Sequence, residues 1–233
     1  MQKVTRLFIL DCLEVKFELP SNESLTVFLN HFKSKYVERE KEESESHYQE
    51  RIKKSHLKRV AQAQRVGEYI DERFKNKHTK ALYAVVGDFN DTPESPWVAP
   101  LLNSPRLTNI LAKFRAPNDC WTYYWKSKNR VSQIDYILTS RALTKRIKNL
   151  TDNDPTKLPH IERRGLAYRK LNSSGLILPK QTNLIHFDED PVTPKPNNTT
   201  PKEKIDFRFT RYTEVMQNWR SHISDHCPVK VWF

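Results

Sequence analysis

The sequence predicts an α/β fold, and three observations carry that prediction. Leu13, Val15, Phe17 and Leu19 alternate with Glu14, Lys16 and Glu18, which is the period of a half-buried strand. From about Ile52, apolar residues recur at Val60, Ala63, Val66, Ile70 and Phe74, as in a helix laid on a sheet. Leu82 to Val86 is then a short apolar run that stops at Gly87-Asp88-Phe89-Asn90, a buried strand entering a loop. Strand, helix and strand in that order mean α/β layering rather than an all-β fold.

The other elements follow from the same periods. Pro20 to Ser24 is a turn, and Leu25 to Leu29 is the returning strand of a hairpin that delivers Asn30 and His31 at its end. Residues 35 to 50 are dense in Lys and Glu, so they read as a solvated helix extension or a loop. Trp97 to Leu102 reads as a short helix. Trp121 to Trp125 and Ser132 to Thr139 read as successive strands joined by a basic turn at Lys126 to Arg130. The aromatic residues of the first of these are read as cross-strand packing rather than a base-stacking platform. Residues 141–206 are rich in Lys, Arg, Asn, Thr and Pro and are expected to be a partly flexible insertion, not a second domain. Phe207 to Phe209 would re-enter the sheet, and Val229 to Phe233 would be its last strand.

A formal charge of +12 and a pI near 9.6 favour a polyanionic partner, nucleic acid or an acidic lipid surface. Cys12, Cys120 and Cys227 show no zinc-ligand spacing and read as free thiols of a reducing compartment. The first residues lack the apolar stretch of a secretory signal, which favours a cytoplasmic location. Asn90-Asp91-Thr92 spells a glycosylation sequon, and a glycan there would block the loop after the strand.

Taken in order, His31, Asp88 with Asn90, Asp135, and Asp225 with His226 all fall where a strand meets a loop. They stand in Leu29-Asn30-His31-Phe32-Lys33-Ser34, Val85 to Pro93, Gln133-Ile134-Asp135-Tyr136-Ile137-Leu138 and Ser224-Asp225-His226-Cys227-Pro228-Val229. Singly, each has a plainer reading. Asp135 could satisfy backbone donors at a strand end, and His31 could be a hydrogen-bonded core histidine. Together, in this order and spacing, they resemble the endonuclease/exonuclease/phosphatase superfamily, from about Leu13 to Phe233 outside the insertion.

The resemblance implies a DNase I-like two-sheet sandwich flanked by helices, with residues 1–233 forming a single partial domain. It also implies metal-dependent phosphodiester hydrolysis, which needs an activated water, neutralised phosphate oxygens and help for the leaving oxygen. Asp225 would be a metal ligand for Mg²⁺, with Mn²⁺ as the alternative. Asp88 would orient or deprotonate the attacking water, with Asn90 holding the phosphate beside it. His226 would touch the scissile phosphate, Asp135 would fix its tautomer, and His31 would approach from the other side. Asn30 and Lys33, flanking His31, are the candidate substrate contacts.

The family's opening strand with an Asn, and its following Gln-Glu with the main metal-binding Glu, have no counterpart here. The sandwich is therefore expected to lack N-terminal strands and to expose apolar faces and a strand edge. Nucleic acid is the expected substrate, and a complementary N-terminal fragment is an expected partner. A phospholipid or phosphoinositide phosphoesterase, and a non-catalytic remnant or half of a split enzyme, are the other functions this scaffold allows.

Overall fold

The computed structural model describes residues 12–125, 130–162, 171–172, 175–176 and 226–233. The basic turn at 126–129, the expected strand Phe207 to Phe209, and Asp225 lie outside them. The chain divides into two compact units: Met1–Arg115, Gln133–Pro159 and Val231–Phe233 in the first, Ala116–Ser132 and His160–Lys230 in the second. Among the described residues no helix is long and apolar enough to cross a membrane.

The first unit holds a five-stranded mixed sheet. Strand β1 (Leu13–Glu18) pairs antiparallel with β2 (Ser24–His31), with Leu13 opposite Leu29 and Phe17 opposite Leu25. Helix α1 (Glu45–Phe74) follows and returns the chain to β3 (Leu82–Asp88), parallel to β2. A helical crossover is what a parallel pair requires. After α2 (Ala99–Leu102), β4 (Leu107–Asn109) and α3 (Ile110–Phe114), strand β7 (Asp135–Ser140) enters between β3 and β4, antiparallel to both. Among the described residues β1 is an edge of this sheet, and Leu13, Phe17 and Leu29 are each about half exposed. The alternation in β1 thus marks an edge strand of which Leu13 and Phe17 are about half covered and Val15 is partly buried.

α1 begins where Ser44 caps it, its side chain accepting from the His47 amide at 3.3 Å. Its buried stripe is Ser55, Arg59, Gln62, Ala63, Val66, Ile70 and Phe74, and its C-terminal half packs on Phe28, Tyr83, Val85 and Leu138. The Lys- and Glu-rich run before it is loop up to residue 44 and helix from Glu45. On the other face of the sheet, Leu25, Leu82 and Ala84 meet Ile110 of α3 and Leu143 and Ile147 of α4 (Arg141–Asn153). That helix corrects the expected start of the insertion at 141. Leu143, Ile147 and Thr151 recur every four residues and are buried, and Ser140 caps the helix by accepting from the Leu143 amide.

The strand expected over Ser132 to Thr139 is two strands. β6 (Arg130–Ser132) pairs with β5 (Tyr123–Trp125) in the second unit, whereas β7 starts at Asp135 in the first. Gln133 and Ile134 make the break: the Ile134 carbonyl accepts from the Phe89 amide at 2.8 Å, and Gln133 bonds to Asn109. The second unit also pairs β8 (His160–Ile161) with β11 (Val229–Lys230), and β9 (Leu171–Asn172) with β10 (Gly175–Leu176). The last strand is therefore confined to Val229–Lys230, short of Phe233.

Candidate active site

Three strands of the first unit place their functional residues in one row. β2 and β3 run parallel and finish together, with His31 in register with Asp88. β7 runs the other way, so its first residue, Asp135, stands opposite Asp88 across the pair. The two carboxylates come within 4.8 Å of one another. His31 Nε2 lies 3.6 Å from Asp88 Oδ2, with the imidazole half exposed and Asp88 mostly covered.

The backbone just before Asp88 has no room for a side chain. Gly87 has φ 134°, and a Cβ there would sit 1.8 Å from the Asn30 carbonyl oxygen on β2. Beyond Asp88 the chain turns sharply. The Asn90 amide donates to Asp88 Oδ1 at 2.7 Å, an Asx turn, and Asn90 itself adopts φ 54°, a left-handed conformation that asparagine tolerates. Its Nδ2 donates to the Phe32 carbonyl at 3.0 Å, tying the β3 loop to the β2 loop.

Each of these strand ends is followed by a ring. Phe32 stacks on Phe89 at 4.6 Å between centroids, and Phe89 stacks on Tyr136 at 4.8 Å. The rings are buried, and they come directly after His31, Asp88 and Asp135 in sequence.

Beneath the loops lies a charged network that sequence reasoning missed. Arg59 and Asp91 are fully buried, and Arg59 Nε donates to Asp91 Oδ2 at 3.0 Å. The same guanidinium reaches the Lys33 carbonyl at 3.0 Å and Ser55 Oγ at 3.2 Å. Gln62 accepts from the Lys33 amide at 2.8 Å, and Ser55 donates to the Ser34 carbonyl at 2.8 Å. Asp91 also pairs with Lys35 and accepts from the Thr92 amide, while its carbonyl accepts from the Tyr136 hydroxyl at 2.8 Å. Burial pulls the Arg59 guanidinium below its usual range, and Asp91 acts against that. Burial pushes the Tyr136 phenol well up, with Asp91 adding to it. The signal was present in the helix period: stepping back by four from Ala63 lands on Arg59, then Ser55, so the buried stripe continues as polar residues.

The remaining expected residues are placed as follows. Asn30 is a correction: it is buried, and its Nδ2 donates to the Phe28 carbonyl, so it is turned into the protein rather than toward a substrate. Strand alternation is the reason, because Asn30 shares the face of Phe28 and not that of His31. Lys33 is half-buried, and burial lowers its pKa, followed by the charges of Lys58 and Arg59. His226 belongs to the second unit, where it bridges to Tyr123 with ring centroids 5.1 Å apart. Asp225 lies outside the described residues.

Asp88 and Asp135 are hard oxygen donors close enough to share one cation, a chemistry that fits Mg²⁺ or Mn²⁺. The comparisons then give the family. The model of the Endonuclease/Exonuclease/phosphatase family matches residues 27–226, so the chain belongs to that family, whose members are generally hydrolases of phosphoester bonds. Its α/β fold is accordingly DNase I-like. No curated protein matches the chain at a significant level.

Solved structures similar to it include a Staphylococcus aureus beta toxin variant with bound magnesium ions, at 18% identity and TM-score 0.35, covering 55% of this chain and 41% of that one. A Bacteroides thetaiotaomicron mannosyl-6-phosphatase is similar at 16% identity and TM-score 0.35, covering 68% and 48%. An endonuclease/exonuclease/phosphatase family protein from the same organism is similar at 16% and 0.35, covering 66% and 45%. The chain spans less than half the length of each of these structures.

Proposed function

We propose that this chain is a metal-dependent phosphodiesterase acting on nucleic acid. The observation that carries the reading is the row of His31, Asp88 and Asp135 at adjoining strand ends, with Asn90 pinned beside it. Asp88 and Asp135, joined by Asp225, would hold a divalent cation, which when bound neutralises phosphate charge and makes a water more acidic. Asp88, poised by its Asx turn, orients the attacking water or takes its proton. Among the described residues Asn90 spends one of its two side-chain N–H groups on Phe32, and the other would bind a phosphate oxygen. His31 contacts the phosphate or the leaving oxygen. His226 keeps its expected role of donating to the scissile phosphate.

Nucleic acid is favoured among phosphodiesters by the charge of +12, because counterion release makes a polyanion the best partner of such a surface. The test is nicking of supercoiled plasmid by the purified chain in Mg²⁺, with EDTA, Asp88→Ala and Asp225→Ala as controls. Cleavage lost in all controls supports the reading. Cleavage by Asp88→Ala at the wild-type rate sinks the site. A folded chain that binds plasmid in a salt-sensitive way without cutting it points to the non-catalytic remnant.

A further inference from the structure

We propose that Arg59 is a positioning residue that holds the two catalytic loops at a fixed separation from one helix. The inference rests on the hydrolase reading above. His31 and Asp88 come from different strands, and past their ends the paired backbone stops at the bond from the Phe32 amide to the Asp88 carbonyl, 2.9 Å. From there the loops are held by α1. Arg59 grips the second loop through the Asp91 carboxylate and the first through the Lys33 carbonyl, with one planar group. Gln62 and Ser55, the neighbouring positions on the same stripe, bind the Lys33 amide and the Ser34 carbonyl. Lys35, from the first loop, closes the ring on the far oxygen of Asp91.

Stability alone is a poor account of this arrangement. A fully buried ion pair is often replaceable by apolar side chains without loss of stability. Here it is also incompletely satisfied: Arg59 Nη2 is buried with no hydrogen-bond partner among the described residues. What the guanidinium does that an apolar side chain cannot is address two loops at once with fixed geometry. It touches neither His31 nor Asp88, so its effect on them runs through Asp91, Lys33 and the bond from Asn90 to Phe32.

The test compares the wild-type chain with Arg59→Lys and with the paired replacement Arg59→Met/Asp91→Leu, which removes both buried charges together. Four quantities are read: the melting temperature, amide hydrogen exchange, and kcat and KM on a phosphodiester in Mg²⁺. The paired variant is expected to melt near the wild type. The amides of Phe32, Lys33 and Asn90 should exchange at least about tenfold faster, while those of Val85 and Leu138 in the sheet keep their rates. Its kcat should fall about 100-fold with KM within about threefold, the signature of misplacement rather than lost binding. Arg59→Lys, which keeps a charge opposite Asp91 but lacks the fork, should fold and show the same local loosening if the paired variant does not fold.

Unchanged exchange at Phe32, Lys33 and Asn90 in either folded variant overturns the proposal. So does wild-type kcat in a variant whose loops are loosened. A wild-type chain with no phosphodiester turnover sinks the hydrolase reading alone, and the exchange pattern then decides the clamp by itself.

Discussion

On the face covered by α1 the sheet presents Phe28, Tyr83, Val85, Tyr136 and Leu138; on the opposite face it presents Leu25, Leu82 and Ala84 to Ile110, Leu143 and Ile147. The first face is aromatic and sealed. Phe74 stacks on Tyr83 at 4.3 Å and meets Phe28 edge-on at 6.1 Å, and the packing continues through Phe89 and Phe32 to the site. The second is aliphatic, and toward β1 it opens, with Leu13, Phe17 and Leu29 half exposed. Rigidity is thus concentrated on the side that carries the loops of the candidate site. The candidate side chains themselves face the other way: by strand alternation His31 shares the second face with the half-exposed Leu29.

Substitutions can break this comparison. Gly87→Ala should do the most damage, because its Cβ would overlap the Asn30 carbonyl and force β2 from β3. A loss of more than about 4 kcal/mol is expected, read as a chain that fails to give a cooperative melt. Phe28→Ala, at the centre of the sealed face, should cost about 3–5 kcal/mol in urea unfolding. Ser140→Ala should cost about 1–2 kcal/mol by the same measurement, since Ser140 caps α4 and also donates to the Ala81 carbonyl.

A smaller effect sharpens the picture of α1. His56 stacks on Trp97 at 4.7 Å, and burial, followed by the Arg59 charge, lowers its pKa below 6.5. The unfolded chain therefore takes up this proton more readily than the folded one. This contribution to stability is intact above about pH 6.5 and is lost as pH falls toward the folded-state value. The melting temperature should drop over that window, and His56→Gln should flatten the drop. Phe17→Ser should change stability least, within about 0.5 kcal/mol, because the ring it removes is half exposed. A large cost there would mean that β1's face is covered after all.

Much of the sheet was legible because its period-two runs stand in the open: β1, β2 and β3 lie where the alternation and the apolar run put them. The site loop was legible because Gly87-Asp88-Phe89-Asn90 combines a turn residue with two polar groups. Other features were hidden by physics that acts at a distance. Asp91 read only as part of a sequon, since nothing near it in sequence reveals a guanidinium thirty-two positions away. Arg59 carried no signal of its own, because the apolar recurrence starts only at Val60, although the guanidinium sits on the buried side of the helix. Helix α4 was lost in a Lys- and Arg-rich stretch whose long side chains leave only Leu143, Ile147 and Thr151 to mark the core side. The division of residues 130–140 between two ladders depends on Gln133 and Ile134 finding partners at Asn109 and Phe89, and no local pattern records that.

The ring column has a further consequence. His31-Phe32, Asp88-Phe89 and Asp135-Tyr136 are three dipeptides in each of which a reactive group is spelled next to its own spacer. The strand ladder sets the pitch between neighbouring candidate groups, and the rings at 4.6 and 4.8 Å stack at the same step, so each ring backs one strand end. Anyone transplanting or diversifying this site would have to move two letters at a time.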